Sequence, residues 1–309
     1  MYYVVRHVTR FRYSAPITES VIEVRMQPRQ EGMQQCLSFD LTTNPGARVM
    51  SRRDYLENIV HHFSVPRSHS ELTITAQTLV GVTAPALPEA LNEAAWSEID
   101  ALVTQSDVAE MLIPSHFARP TALLNELAYD LRVSRRADPL SLLREISLGV
   151  HERFRYTPLS TKVDSPIDDA LRLRQGVCQD YAHVMIALVR ELGVPCRYVS
   201  GYLFRQSSDV ESRAASATHA WVEALLPRLG WVGFDPTNNL VVGERHIRTA
   251  VGRDYADVPP TRGVFKGDAR TELGVAVQVV LSDEALADDE MLLVMQAAPP
   301  VQDGEQPQQ

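Results

Sequence analysis

At 309 residues, 45% hydrophobic and 22% charged, the chain has globular composition and enough length for two domains. Its formal net charge of −9 leaves no basic surplus to displace phosphate counterions, which argues against a nucleic-acid partner. No window approaches about eighteen uninterrupted apolar residues, and the opening MYYVVRHVTRFRY has no continuous apolar stretch, so neither a membrane span nor a secretory signal is expected.

Residues 1–9, 19–27, 36–42, 59–66 and 72–81 combine β-branched and aromatic side chains with turn signals such as Asn44-Pro45-Gly46. This spacing predicts a sandwich-like or barrel-like domain over residues 1–82. His61 and His62 are adjacent there, and neighbours on a strand point to opposite faces, so they are not read as a metal site. Two prolines in TAPALPEALNE mark a linker, with 83–119 as the connecting segment.

Helical spacing follows at 121–130, through Leu123, Leu124, Leu127 and Ala128, and at 139–154, where Pro139 stands early enough to be tolerated. Residues 178–192 place Tyr181, Val184, Met185, Leu188 and Leu192 on one stripe, and Gly193 and Pro195 end that helix. A strand at 196–204, a polar loop at 205–217 and strands at 218–226 and 231–235 complete a core expected over 120–270. Residues 275–281 and 291–295 read as strands returning to the first domain, within a segment 271–298, and 299–309 reads as a disordered tail. The fold class is α+β.

The three cysteines, Cys36, Cys178 and Cys196, form no C-x-x-C and are odd in number, which fits a reduced, cytoplasmic protein without a disulfide framework. Cys178 opens a predicted helix, where unpaired N–H groups and the helix dipole favour a thiolate and hence a nucleophile. Gly176 lets a substrate backbone approach. An isolated cysteine would instead be read as a buried structural residue, as Cys196 is, and Cys36 has no site context. His219 and Asp235 lie on consecutive predicted strands with matching parity, so a hairpin can put both on one face. A histidine oriented by a carboxylate can take the thiol proton and return it to a leaving group. Alternatively, His219 is a satisfied polar residue and Asp235 a turn former before Pro236.

The stretches GVCQDYAH (176–183), LGVPCRYVSGYL (192–203), THAWVEALLP (218–227) and GWVGFDPTNN (230–239) resemble the catalytic core of the bacterial transglutaminase-like superfamily. The strand-rich start resembles the N-terminal domain attached to that core, and DYADVPPTRGVFKG (254–267) the segment that follows it. The resemblance implies a papain-like core, with the nucleophile helix packed on an antiparallel sheet and an all-β domain before it. It implies Cys178 as nucleophile, His219 as base then acid, and Asp235 as the orienting carboxylate. The oxyanion would rest on the Cys178 N–H, with Tyr156 as candidate second donor. Thr218 and Cys196 stand where serine and alanine are common. The turn from Asp54 to Asn58 lacks the usual glycine, a change expected to affect how the first domain meets the core.

Among neighbouring residues, Gln179 and Asp180 are expected beside the site, Asp180 bonded to backbone or a base. His183 reads as structural, Trp221 and Trp231 as packing beside the site, and Asn238 as a support for Asp235 or the adjacent turn, or simply as part of an Asn-rich turn. Neither cofactor nor metal is expected. The expected activity is thiol-dependent acyl-enzyme chemistry on a peptide or protein substrate, ending in hydrolysis. Transfer of the acyl group to an amine, a retired binding fold, and a metalloprotein using Cys, His and Asp are the alternatives.

Overall fold

The computed structural model describes residues 1–105, 107–206 and 218–282. The chain opens with six strands: β1 (Tyr2–Ile17), β2 (Glu19–Val24), β3 (Gln34–Asn44), β4 (Met50–Arg53), β5 (Ile59–Val65) and β6 (His69–Val82). Four helices and two short strands follow, as α1 (Ala95–Gln105), α2 (Ala122–Asp130), α3 (Pro139–Arg153), β7 (Arg155–Tyr156), α4 (Ile167–Leu173) and β8 (Gln175–Gly176). Then come α5 (Cys178–Glu191), β9 (Cys196–Leu203), β10 (Thr218–Leu226), β11 (Gly230–Asp235), β12 (Leu240–Val241), β13 (His246–Gly252), β14 (Thr261–Lys266) and β15 (Thr271–Leu281).

The first domain consists of two four-stranded antiparallel sheets, ordered β15-β1-β6-β3 and β14-β2-β5-β4. Between them lies an apolar core of Tyr13, Ile17, Ile22, Val24, Met26, Phe63, Leu72 and Ile74. The expected return of residues 275–281 is present: β15 runs along β1 from Tyr13↔Thr271 to Tyr3↔Leu281. Residues 261–266, expected with the core, pair instead with β2, because β2 would otherwise be an open edge. Strand β1 continues well past residue 9, and β4 carries no sequence signal, since all four of its residues are exposed. The expected strand at 291–295, the tail and most of the 205–217 loop lie outside the described residues.

The second domain is built around α5, packed between the β12-β11-β10-β9-β13 sheet and helices α2, α3 and α4. The sequence reads α5 as amphipathic, but every residue from Cys178 to Arg190 is buried, because sheet and helices cover it on all sides. Its polar members have partners: the Arg190 guanidinium donates to the carbonyls of Met111 (2.9 Å) and Arg253 (2.8 Å). Gly193 ends the helix at φ +72°, a left-handed conformation that glycine adopts without a Cβ clash. The Thr121 hydroxyl caps α2 and the Asp138 carboxylate caps α3. Asp138 also accepts from Leu91 N–H, tying the linker to α3. Part of that connecting segment is itself helical: α1 docks through buried Ile99 and through Trp96, whose Nε1 donates to Ala137 O at 2.7 Å.

The domains meet through a buried polar layer on the sheet face away from α5. There Glu223 accepts from Arg197 (2.8 Å) and Arg248 (2.6 Å), and Arg197 also reaches Glu31 of the first domain (3.1 Å). The Asn58 side chain forms a two-bond pair with the Val251 backbone, both at 2.8 Å. Gln34 does the same for Arg248, at 2.8 and 2.7 Å. The Asp54–Asn58 turn therefore takes part in the contact between the domains. Its Glu57 sits at φ +63°, the conformation that accounts for glycine at such a turn.

Candidate active site

The N-terminus of α5 is shaped by Asp180, whose Oδ2 accepts from Val177 N–H (2.8 Å) and the Thr161 hydroxyl (2.6 Å). Burial pushes this carboxyl up to about 6, against those two bonds. A Cβ on Gly176 would lie 2.7 Å from the Asp180 carboxylate, so the glycine makes room for this cap. That close neighbour replaces the substrate contact expected from sequence. Gln179 is buried and its Nε2 donates to Val163 O at 3.0 Å.

β7 lies parallel to β8 with Tyr156 opposite Gly176, which brings Tyr156 to the entrance of α5. Burial and the Cys178 sulfur raise its hydroxyl to about 12, so it is a hydrogen-bond donor at neutral pH, with its ring still half-exposed. The pairing with Gly176 and that electrostatic influence bring Tyr156 into the neighbourhood of Cys178.

On the sheet, β10 and β11 run antiparallel with Val222 opposite Phe234, a register that puts His219 and Asp235 on the same face, one diagonal step apart. His219 Nε2 donates to Asp235 Oδ2 at 2.8 Å, and the Cys178 side chain acts on the same ring electrostatically. Both partners are buried. Burial opposes charge on His219, but the Asp235 carboxylate and Cys178 outweigh it and hold the ring up at about 10. Asp235 is pushed far below the usual carboxylate range: burial opposes this, and is overcome by His219 and by a bond from His246.

Asp235 is immobilised from every side. Oδ1 accepts from the N–H groups of Thr237 (3.0 Å) and Asn238 (3.2 Å), and Oδ2 also accepts from Asn238 Nδ2 (2.7 Å) and His246 Nε2 (3.1 Å). Asn238 thus holds Asp235 as expected. Trp221 is fully buried and stacks along His219 with ring centres 6.2 Å apart. Trp231 packs elsewhere, over the Arg197 guanidinium at 4.3 Å. His183 is structural: it stacks on Phe117, accepts from Tyr255 N–H at 3.2 Å, and is driven down to about 3 by burial. Cys196 is buried with its thiol pushed up to about 11, again chiefly by burial, and Cys36 lies half-buried on β3.

Sequence reasoning missed His246. It stands on β13, at the opposite edge of the sheet from β11, and reaches Asp235 because residues 242–245 cross the sheet face. Two strand-interior glycines make that crossing possible. A Cβ on Gly233 would meet Val242 at 2.5 Å, and one on Gly201 would meet Trp221 at 2.6 Å and overlap the Ile247 carbonyl. Isolated glycines in WVGFD and VSGYL were the available signal, since glycine inside a strand marks close backbone approach.

His219, Asp235 and His246 offer ligand atoms all within 4.8 Å of one another, the one such group among the described residues. Neither His61 nor His62 joins it. The Asp235 oxygen in that group already accepts three N–H bonds, so a cation would have to displace protons that hold the site together.

The fold is shared with known proteins. Residues 127–236 match the transglutaminase-like superfamily, and residues 3–81 match the bacterial transglutaminase-like N-terminal region. The chain belongs to the transglutaminase-like superfamily, with a papain-like core and an all-β N-terminal domain. It is 31% identical over 274 residues to an uncharacterized protein of Mycobacterium leprae, covering 88% of this chain and 96% of that one. The crystal structure of a proposed cysteine protease from Cytophaga hutchinsonii has the same fold, with a TM-score of 0.72 over 93% of this chain and 92% of that chain at 19% identity. A protein-glutamine gamma-glutamyltransferase of Pseudomonas aeruginosa is 32% identical over 191 residues, which cover 58% of this chain and 27% of that protein. No described helix is long and apolar enough to cross a membrane.

Proposed function

We propose that the protein is a cysteine-dependent enzyme that hydrolyses peptide or amide bonds through a thioester. The observation that carries this reading is the chain of contacts from Cys178, at the N-terminus of α5, to the His219 ring and from there to buried Asp235. An imidazolium beside the sulfur is the natural partner of a thiolate.

In the proposed reaction the Cys178 sulfur attacks the substrate carbonyl carbon. The oxyanion is met by the Cys178 N–H and the Tyr156 hydroxyl. His219 then gives its Nδ1 proton to the leaving amine as the C–N bond breaks, forming the thioester. Water attacks next: His219 takes its proton, the C–S bond breaks, and acid and thiolate are released. Asp235, bonded at Nε2, keeps the ring oriented throughout.

Hydrolysis is favoured because transfer needs a second pocket that holds an amine and keeps water out, and the name borne by the Cytophaga neighbour agrees with it. The second reading, transfer to an amine, is favoured by the 32% identity to the gamma-glutamyltransferase. A peptide or protein substrate suits both. The free state of Cys36, Cys178 and Cys196 supports a reducing, cytoplasmic location, and the acidic chain supports a role away from nucleic acid and membrane surfaces.

The test is incubation with a peptide library, product identification by mass spectrometry, and rising concentrations of a lysine-like amine. Free acid should remain the main product at millimolar amine, and Cys178→Ala should abolish it. Predominant amide would make the enzyme a transferase, and turnover surviving in Cys178→Ala would end the cysteine mechanism.

A further inference from the structure

We infer that His246 is a positioning residue for this site, holding the Asp235 carboxylate in the orientation that serves His219, and that the N-terminal domain sets its place by gripping β13. The inference rests on the reading of Cys178, His219 and Asp235 as the reacting set.

The hydrogen bonds define the role. His246 Nε2 lies 3.1 Å from Asp235 Oδ2, the oxygen that His219 Nε2 contacts at 2.8 Å. Gly243 N–H points at His246 Nδ1 from 3.5 Å, a long contact, but one that requires Nδ1 to be the acceptor. The ring proton therefore sits on Nε2, where it donates to Asp235. Burial holds His246 below its ordinary value, overcoming the pull of Asp235, so the ring is a neutral donor at neutral pH. The two imidazoles thus divide the work: His219 carries charge and faces the thiol, while His246 donates without competing for that charge. Trp221 stands edge-on to His246 at 5.3 Å and stacks along His219, fixing the spacing of the two rings. The charged neighbours of His246 are Asp235, which favours a positive charge on the ring, and His219 and Arg245, which both disfavour it.

The support for His246 comes from the other domain. Strand β13 begins at His246 and pairs along only one edge, with β9, opening with His246↔Leu203. On its other edge, Arg248 and Val251 are held by N-terminal residues. Arg29 N–H donates to Arg248 O at 2.9 Å, Gln34 brackets Arg248 through both backbone groups, and Asn58 does the same for Val251. A strand held at positions 248 and 251 cannot shift at 246 without breaking these bonds. The N-terminal domain therefore has a physical route to the reacting set: β13, then His246, then Asp235, then His219.

The test uses the full chain and needs no substrate. Cys178 alkylation by iodoacetamide is followed by peptide mapping at pH 6 and pH 9, with Cys36 as internal reference, for the wild type, His219→Ala, His246→Leu, His246→Gln and Gln34→Ala. Losing a hydrogen bond to a buried charge should lower the pH 6 rate of His246→Leu, relative to pH 9, by about tenfold or more. His246→Gln, which keeps an N–H donor, should recover most of it. Gln34→Ala, which leaves every site residue in place, should shift the ratio the same way by less. An unchanged pH 6 to pH 9 ratio in His246→Leu, while His219→Ala lowers it, overturns the role of His246 alone. Should His246→Leu not fold, an unchanged ratio in Gln34→Ala overturns it. No effect in His219→Ala would instead bring down the reading of the reacting set.

Discussion

Two buried carboxylates occupy the same face of the five-stranded sheet, and they are held by different kinds of donor. Glu223 on β10 stands opposite Gly233 on β11, two residues from Asp235. Both side chains are inaccessible to solvent. Glu223 is gripped by the guanidinium groups of Arg197 and Arg248, while Asp235 is gripped by two imidazoles, an amide and two backbone N–H groups. A guanidinium does not surrender its proton in a protein, so Glu223 can only join parts together. An imidazole titrates within reach of neutral pH, so the Asp235 cluster can move a proton. Identical burial yields a domain clamp in one place and a candidate reaction centre in the other.

The widest separation between them is expected from matched amide substitutions. Asp235→Asn should reduce turnover by roughly a thousandfold or more, since the imidazole loses the partner that fixes its tautomer. Glu223→Gln should instead act on stability, costing about 3–5 kcal/mol by leaving two arginines without their buried counter-charge. Steady-state kinetics and urea unfolding on both variants separate the effects. A Glu223→Gln protein that is fully stable, or one that folds well but is as inactive as Asp235→Asn, would break the comparison.

Titration sharpens it. His219, held at about 10 by its carboxylate, contributes stability that is complete below pH 6.5 and is lost as the pH rises through about 10. His7 and His183 lack such a partner bond, and burial pushes each down to about 3. The unfolded chain binds their protons first, so their effect is a loss of stability as pH falls from 6.5 toward 3. The melting temperature should therefore peak near neutrality and fall on both sides. A flat profile from pH 7 to pH 4 would contradict the buried neutral state of these two histidines.

The smallest effect concerns the clamp itself. Glu57 holds a left-handed conformation at φ +63°, in the turn that delivers Asn58 to β13, and its bond to Arg53 is exposed and worth little. Glu57→Gly should stabilise the protein by up to about 1 kcal/mol, relief of strain exceeding the entropic cost of glycine. Differential scanning calorimetry would register this as a small rise, and a marked fall would show that the Glu57 side chain matters to the interface.

Much of the site was legible in the linear chain. The stop at Gly193, the thiol at a helix start, and the parity shared by His219 and Asp235 are local properties of spacing, and the structure places them accordingly. Asn238 lies three residues after Asp235, close enough for turn chemistry to suggest its role. Other features were hidden because their cause is not local. The stripe on α5 looks one-sided until the sheet and three helices enclose it. Strand β4 has no buried residue to give it a pattern. Gly176 reads as room for a substrate until the Asp180 cap occupies that space.

The sequence by itself determined five strands of the first domain, the principal helices of the second and the candidate side chains Cys178, His219 and Asp235, because periodicity and turn chemistry act over a few residues. Only the tertiary structure decided that β14 covers the edge of β2, that Glu31 and Asn58 grip the second domain, and that His246 joins Asp235. Those contacts span up to hundreds of residues, and they depend on sheet order and on two glycines whose missing side chains let one segment lie across another. A pattern in the chain records which side chains prefer burial, but the partner that each one finds is set when the layers close.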